Sequence, residues 1–173
     1  MKYAWLLVPV ALLIVFAIAA GRVVEPRASR FQRSTAVVQL LAEGCNAYTA
    51  LDQGYPDPNP DATELGGVRE FREKYYRSGA WTDEGLNVSL VWLLSVPRYP
   101  EPFLDLNQKW FEPVLRPIHG PDGRFLYRCV DGFGHPIRVR RIPGSPAEML
   151  ITSAGPDGDF ATAKDNIEIR LKR

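Results

Sequence analysis

The sequence predicts an α+β fold in which a long N-terminal helix, first hydrophobic and then amphipathic, packs on a small antiparallel sheet of about four strands. Residues 3–21 carry no charged side chain, and residues 28–52 repeat apolar side chains at helical steps. The last third of the chain alternates apolar and polar residues between Gly and Pro breaks, which is typical of short strands joined by turns. Fifteen prolines and fourteen glycines argue against a helical bundle.

Residues 1–24 are predicted to form a transmembrane helix, which makes the membrane an expected partner. About twenty apolar residues are enough to cross a bilayer, and a helix satisfies its own backbone in lipid. Tyr3 and Trp5 lie where aromatic side chains favour the interface. The alternative is a cleaved signal peptide, with Lys2 as its positive start and the small residues 17–20 as its cleavage site. We favour the anchor because the apolar run is long for a signal core.

The basic residues around this segment predict its orientation. Lys2 and the amino terminus lie on one side, and four arginines follow on the other. Because the inner side of a membrane protein carries more Lys and Arg near the span, this count places the C-terminal domain in the cytoplasm. The four arginines are Arg22, Arg27, Arg30 and Arg33.

Residues 25–53 are predicted to continue the helix as an amphipathic segment. Their apolar side chains recur at three- and four-residue steps, with polar side chains between them. Gly54 and Pro56 end the helix. We expect the apolar stripe to pack on the sheet. The expected contacts join Val37, Leu40, Leu41 and Tyr48 to Ile137, Val139, Leu150 and Ile151.

Residues 54–173 are predicted to form one globular α+β domain. A helical pattern over 62–76 is broken at Gly66 and Gly67, and residues 86–94 read as a short helix, with a strand as the alternative. Prolines make residues 96–120 rich in loops. The four expected strands cover residues 124–130, 136–142, 148–152 and 167–171.

Charge and motifs exclude several classes of function. Lys plus Arg is 21 against 20 Asp plus Glu, so net charge predicts no nucleic-acid partner. No serine or cysteine lies in a nucleophile motif such as Gly-x-Ser-x-Gly, and we predict that the chain is not an enzyme. A hydrolase that uses Asp131 with His135 as its base is the alternative that we favour least.

The two cysteines, Cys45 and Cys129, match no metal-ligand spacing. In an exported protein they could form one disulfide, worth about 4 kcal/mol in the chain-entropy model. The alternative is two buried thiols, and the choice depends on the compartment.

The segment 149–167 gathers carboxylates on one loop. Asp157, Asp159 and Asp165 follow a short apolar run and precede an Ile-Glu-Ile run, and Thr152 and Ser153 offer further oxygens. Close carboxylates repel each other unless solvent or a cation separates them, and calcium takes six to eight carboxylate and carbonyl oxygens. The order of residues is not that of an EF-hand. The sequence therefore leaves two alternatives, a calcium loop and a solvated turn between strands.

Three segments resemble the type IV pilin-like superfamily, and in detail the major pseudopilin of type II secretion systems. Residues 47–56 are similar to the family's helix end, Ala-x-Tyr followed by Gly-x-Tyr-Pro. Residues 131–139 (Asp-Gly-Phe-Gly-His-Pro-Ile-Arg-Val) resemble its Asp-Pro-Trp-Gly-x-Pro turn and following strand. Residues 153–158 with 165–167 are similar to its calcium loop, Ser-x-Gly-x-Asp-Gly followed by Asp-Asp-Ile. The three occur in the family's order behind a similar N-terminal helix.

The resemblance implies a pilin-like fold and a calcium ion held by Asp157 and Asp165, with backbone oxygens near Thr152 and Ser153. Asp159 is a possible further ligand, and Asn166 replaces the second Asp of the family's motif, which removes one charge from the site. The matching turn residues imply a structural turn, with Phe133 in place of the family's Trp. These turn residues are Asp131, Phe133, Gly134 and Pro136.

The same resemblance implies a structural subunit of a type II secretion or type IV pilus-like assembly, anchored once in the inner membrane. It implies a periplasmic domain, contrary to the arginine count, and contacts with further copies or other pilin-like subunits through the N-terminal helix. This sequence departs from the family in lacking the processing Gly and the acid of the apolar run, since its first carboxylate is Glu25. The alternative function is therefore a non-polymerising, anchored or secreted binding module stabilised by calcium.

Overall fold

A computed structural model describes most of the chain from the amphipathic segment onward. No helix within that described part is long and apolar enough to cross a membrane. The predicted span, residues 1–24, lies outside the described residues. The described ranges are 27–51, 54–96, 102–106, 113–120, 125–142 and 145–172.

Three α-helices form in the described ranges: α1 (Arg27–Leu51), α2 (Arg69–Tyr75) and α3 (Asp83–Ser95). Thr82 begins α3 because its hydroxyl accepts a hydrogen bond from the backbone N–H of Gly85, at 3.2 Å. The helices predicted over 28–52 and 86–94 are confirmed. The helix predicted over 62–76 is instead two short 3₁₀ turns, Pro60–Ala62 and Glu64–Gly67, followed by α2.

Seven strands form three small antiparallel sheets in the described ranges. A hairpin pairs β1 with β2, a two-stranded ribbon pairs β3 with β4, and a three-stranded sheet has the order β5-β6-β7. The strands are β1 (Tyr76–Arg77), β2 (Ala80–Trp81), β3 (Leu115–His119), β4 (Phe125–Cys129), β5 (Arg138–Ile142), β6 (Ser145–Ser153) and β7 (Ile167–Lys172).

The predicted pilin-like fold class is therefore wrong. The class α+β holds, but the long apolar helix is absent from the described residues, and the expected four-stranded sheet is three separate sheets. The strand predicted over 124–130 exists as β4, but it pairs with β3 and not with β5. β3 lies in the stretch that the prolines predicted to be loop.

A buried asparagine accounts for the separation of β4 from β5. The Asn87 amide nitrogen donates to the carbonyls of Cys129 and Ile137, at 3.1 and 2.6 Å, and its carbonyl oxygen accepts from the N–H of Cys129 at 2.8 Å. Buried backbone groups need partners, and here the Asn87 side chain supplies them beside the backbone hydrogen bond from the Ile137 N–H to the Cys129 carbonyl at 3.2 Å. Asn87 thus holds the two strands together at their ends while they diverge into different sheets.

The main core lies between α1, α3 and the three-stranded sheet. Val37, Leu41 and Tyr48 of α1 are buried there as expected, and Leu40 packs at its edge. The expectation for Leu150 is wrong. In β6 it lies between Arg140 and Arg170 on the outer face of the sheet, while its neighbours Met149 and Ile151 are buried.

A second apolar cluster lies under the β1–β2 hairpin. Leu65, Phe71, Tyr75, Val88 and Leu126 are buried in it. α2 and the two 3₁₀ turns therefore form a small layer of their own, which packs on α3 and β4.

Candidate functional site

The Asp131 carboxylate is buried and accepts hydrogen bonds at both oxygens. Oδ1 accepts from the backbone N–H groups of Phe133 and His135, each at 2.9 Å, and Oδ2 accepts from the Ser153 hydroxyl at 2.7 Å. A buried carboxylate is tolerated when its oxygens are satisfied in this way. Asp131 thereby closes the turn 131–136 and connects it to the end of β6.

The same turn is fastened to α1. The N–H of Gly132 donates to the Ser34 hydroxyl at 2.9 Å, and that hydroxyl donates to the carbonyl of Arg30, also at 2.9 Å. A Cβ atom on residue 132 would overlap the carbonyl oxygen of Arg30. Phe31 and Phe133 meet edge to face, with ring centroids 5.1 Å apart. The approach of the turn to the helix therefore requires a glycine at position 132.

His135 connects the turn to the C-terminal loop. Its Nδ1 lies 2.9 Å from the carbonyl oxygen of Gly155 and 3.9 Å from Oδ2 of Asp131. Gly155 itself donates its N–H to the Ser153 hydroxyl at 3.2 Å. Nδ1 is thus held by a backbone carbonyl, and the Asp131 carboxylate is committed to the turn. This is the geometry of a structural contact and does not favour a base with its orienting acid.

The C-terminal loop, residues 154–166, begins with the 3₁₀ turn Gly155–Asp157. Asp157 accepts from the N–H of Asp159 at 3.0 Å, and Asp159 accepts from the N–H of Ala161 at 2.8 Å. These two exposed acids each cap a local turn through one carboxylate oxygen. Gly155 has φ +68°, and a Cβ atom on residue 155 would overlap the carbonyl oxygen of Asp165. The two ends of the loop are therefore in contact.

Asn166 leaves one polar atom unpaired at the base of this loop. Its amide nitrogen donates to the carbonyl of Phe160 at 3.1 Å. Its Oδ1 is buried and has no hydrogen-bond partner in the described part of the chain. An unsatisfied buried acceptor costs about 1–3 kcal/mol, and a cation beside it would remove that cost. An amide oxygen, like a carboxylate, is a ligand that calcium accepts.

The loop is also attached to the outer face of the sheet. The Arg138 guanidinium lies 3.6 Å from the centre of the Phe160 ring, and its Nε donates to Asp83 at 2.8 Å. Asp83 also pairs with Arg140 at 3.2 Å. Arg138 thus connects the loop to the first turn of α3.

The structure brings only part of the predicted metal set together. Asp157, Asp159 and Asp165 do not form a group of three that could hold a metal, and no such group of His, Cys, Asp or Glu occurs elsewhere in the described ranges. Calcium also takes amide and backbone carbonyl oxygens, which supply much of its coordination in proteins. Ser153 gives its hydroxyl to Asp131, and Thr152 lies in the central strand between Arg138 and Glu168.

The two cysteines are free, buried thiols. Sγ of Cys45 lies 3.7 Å from Sδ of Met149. Burial raises the pKa of Cys45 far above its ordinary value and that of Cys129 to about 12. Both therefore stay protonated and unreactive at neutral pH.

No motif in the sequence marks Ser34 or Asn87, and Arg138 is expected only on a solvated basic face of the sheet, although each makes a contact that positions the turn or the loop. Asn87 and Ser89 interrupt an otherwise apolar run, 86–94, and a buried polar residue in such a run is the available signal. Comparison with protein-family models, curated proteins and solved structures finds no match to the chain.

Gly132→Ala is predicted to destabilise the fold by about 2–3 kcal/mol, because the added methyl group would displace the turn from α1. Gly67→Ala is the matched control, since a Cβ at position 67 meets nothing within 4 Å. Urea denaturation followed by tryptophan fluorescence measures both changes. Equal stabilities of the two variants would show that the turn does not depend on its contact with α1.

Proposed function

We propose that the chain is a structural, non-enzymatic subunit of a type II secretion or type IV pilus-like assembly, held at the inner membrane by residues 1–24. Its domain lies on the periplasmic side, and a calcium ion orders its C-terminal loop. The proposal starts from the three segments that resemble the major pseudopilin. It does not need the four-stranded sheet that the structure excludes.

The contact between two of these segments supports the proposal. The turn 131–136 and the loop 154–166 are distant in sequence, yet the Ser153–Asp131 and His135–Gly155 hydrogen bonds bind them together. Because these hydrogen bonds hold one end of the loop, its backbone has less conformational entropy to lose when an ion binds. Ordering the remaining residues with an ion then costs less conformational entropy.

The Oδ1 of Asn166, which is buried and has no hydrogen-bond partner among the residues that the structure describes, is the observation that carries the calcium part of the proposal. Asn166 and the neighbouring Asp165 would hold the ion from the end of the loop. Asp157 would hold it through the carboxylate oxygen that does not cap its local turn. Backbone carbonyls complete such sites, and bound calcium supplies positive charge that offsets the repulsion between the acids.

Calcium is predicted to stabilise the full chain, here in detergent. At about 100 times its dissociation constant it contributes about 2.7 kcal/mol, which raises the melting temperature by roughly 5–10 °C for a chain of this size. Asp157→Asn should abolish most of the rise because it removes the negative charge, while the new amide oxygen can still cap the local turn. Glu168→Gln is the control, because Glu168 is an exposed carboxylate just after the loop. Differential scanning calorimetry with calcium, magnesium or chelator gives the shifts.

An equal response of Asp157→Asn and Glu168→Gln to calcium would place the ion elsewhere. A melting temperature of the unmodified chain that calcium leaves unchanged would contradict a calcium-ordered loop.

The membrane part of the proposal predicts that the chain stays with membranes after alkaline carbonate extraction. Protease added to spheroplasts should digest residues 54–173, and cross-linking in intact membranes should yield oligomers that contain the chain.

Digestion only after lysis would place the domain in the cytoplasm, as the arginine count does, and would contradict the assembly role. A monomer with intact Met1 would instead favour the non-polymerising calcium-stabilised module.

A further inference from the structure

A groove of about 530 Å³ lies between the β1–β2 hairpin and β5. Small-molecule sites usually measure roughly 300–1,000 Å³. This feature, which we call the Trp81 groove, does not involve the C-terminal loop. Aromatic rings, carboxylates and guanidinium groups line it together: Asp57, Asp61, Tyr76, Trp81, Arg140 and Arg141.

The aromatic wall of the Trp81 groove is held rigidly. The Trp81 indole N–H donates to Oδ2 of Asp61 at 2.9 Å, and Oδ1 of Asp61 accepts from Arg72 at 3.0 Å. Tyr76 packs edge to face on Trp81, with ring centroids 5.1 Å apart. Its hydroxyl donates to the carbonyl of Gly79 at 2.8 Å, which closes the hairpin. Two preorganised rings with little side-chain entropy left to lose favour a ligand that has an apolar face.

The opposite wall offers hydrogen-bond donors. Arg140 pairs with Asp83 at 3.2 Å, and Arg141 lies 3.6 Å from Asp57. Arg141 also donates to the carbonyl of Tyr55. Its Nε is nevertheless buried without a hydrogen-bond partner within the described ranges. The accessible donors of this wall are therefore the exposed parts of the Arg140 and Arg141 guanidinium groups.

The charges on the groove balance. Among the described residues, two carboxylates and two guanidinium groups line it. The carboxylates of Asp57 and Asp61 would repel an anion, and the guanidinium groups of Arg140 and Arg141 would repel a cation. Hydroxyl groups suit both sets, because they donate to carboxylates and accept from guanidinium groups. The Arg72 guanidinium lies over the Tyr76 and Trp81 rings, 4.5 and 5.4 Å from their centroids, so a ligand would stack on the opposite ring faces. A ligand with many hydroxyls and an apolar C–H face matches all three kinds of lining.

We propose that the Trp81 groove binds a neutral oligosaccharide. The sugar ring stacks on the aromatic wall, and its hydroxyls bridge the carboxylates and the guanidinium groups. This activity goes beyond the assembly role and does not depend on calcium, because the C-terminal loop does not line the groove.

Saturation-transfer NMR and titration calorimetry test the proposal on the full chain. The detergent is lauryl dimethylamine oxide, which has no sugar headgroup to compete. The probes are maltohexaose, cellohexaose and chitohexaose, with hexagalacturonic acid as the anionic comparison. At least one neutral sugar should bind at millimolar concentration or below.

Arg140→Ala should weaken that binding by roughly tenfold, the loss expected for one hydrogen-bonded contact. Arg170→Ala is the matched control and should leave it unchanged. Both arginines flank Leu150 on the outer face of the sheet, and their side chains are 53% and 48% exposed. Tyr76→Ala, checked for folding by its melting curve, should weaken binding through the aromatic wall.

The proposal is overturned if none of the three neutral sugars binds, or if hexagalacturonic acid binds more tightly than all of them. Equal affinities of the Arg140→Ala and Arg170→Ala variants for the bound sugar would also overturn it, because the sugar would then lie outside the groove.

Discussion

The buried carboxylate of Asp131 is the contact on which the arrangement of the candidate site depends. It fixes the turn 131–136, in which Gly132 contacts α1. It also accepts a hydrogen bond from the Ser153 hydroxyl at the end of β6. An ionised group away from water is costly unless it is hydrogen-bonded, so the turn, the helix and the strand end must come together for the carboxylate to be tolerated. One side chain thereby connects three segments that are far apart in sequence.

Asn87 has a similar effect on the sheets. It is a polar side chain in the apolar core, and its three hydrogen bonds reinforce the short backbone contact between Cys129 and Ile137, beyond which β4 and β5 belong to different sheets. In the two-stranded ribbon that results, no further strand of the described residues pairs with the outer edge of β3. Pro117 can lie in β3 for this reason, because a proline has no N–H to offer a further strand.

Much of this fold follows from periodicity. The apolar steps of residues 28–52 predict α1, and alternation or a short apolar run between turn residues predicts β4 to β7, because a local pattern suffices for each. Pairing between strands does not follow, since it depends on Asn87, which lies far from β4 in sequence. The prediction for β6 is wrong at Leu150, because three apolar residues in succession, 149–151, give no alternation from which to choose the buried face.

The candidate site was predictable to a similar degree. The residues of the turn and of the loop can be picked out from the sequence, but not that Ser153 serves Asp131, because a hydroxyl gives no indication of its distant partner. Asn166 illustrates the same limit. Its replacement of an acid suggests a weaker ion site, whereas the structure adds that its Oδ1 is buried and lacks a hydrogen-bond partner among the described residues.

Amide hydrogen exchange tests the role of Asp131 most directly, because the chain contains an internal comparison. The N–H groups of Phe133 and His135 bond to the buried carboxylate of Asp131, while those of Asp159 and Ala161 bond to exposed carboxylates at similar distances. Exchange at Phe133 and His135 should occur only on global unfolding, and exchange at Asp159 and Ala161 should be much faster. Equally fast exchange at all four amides would show that the turn opens independently of α1 and β6, and that the Asp131 carboxylate does not hold them together.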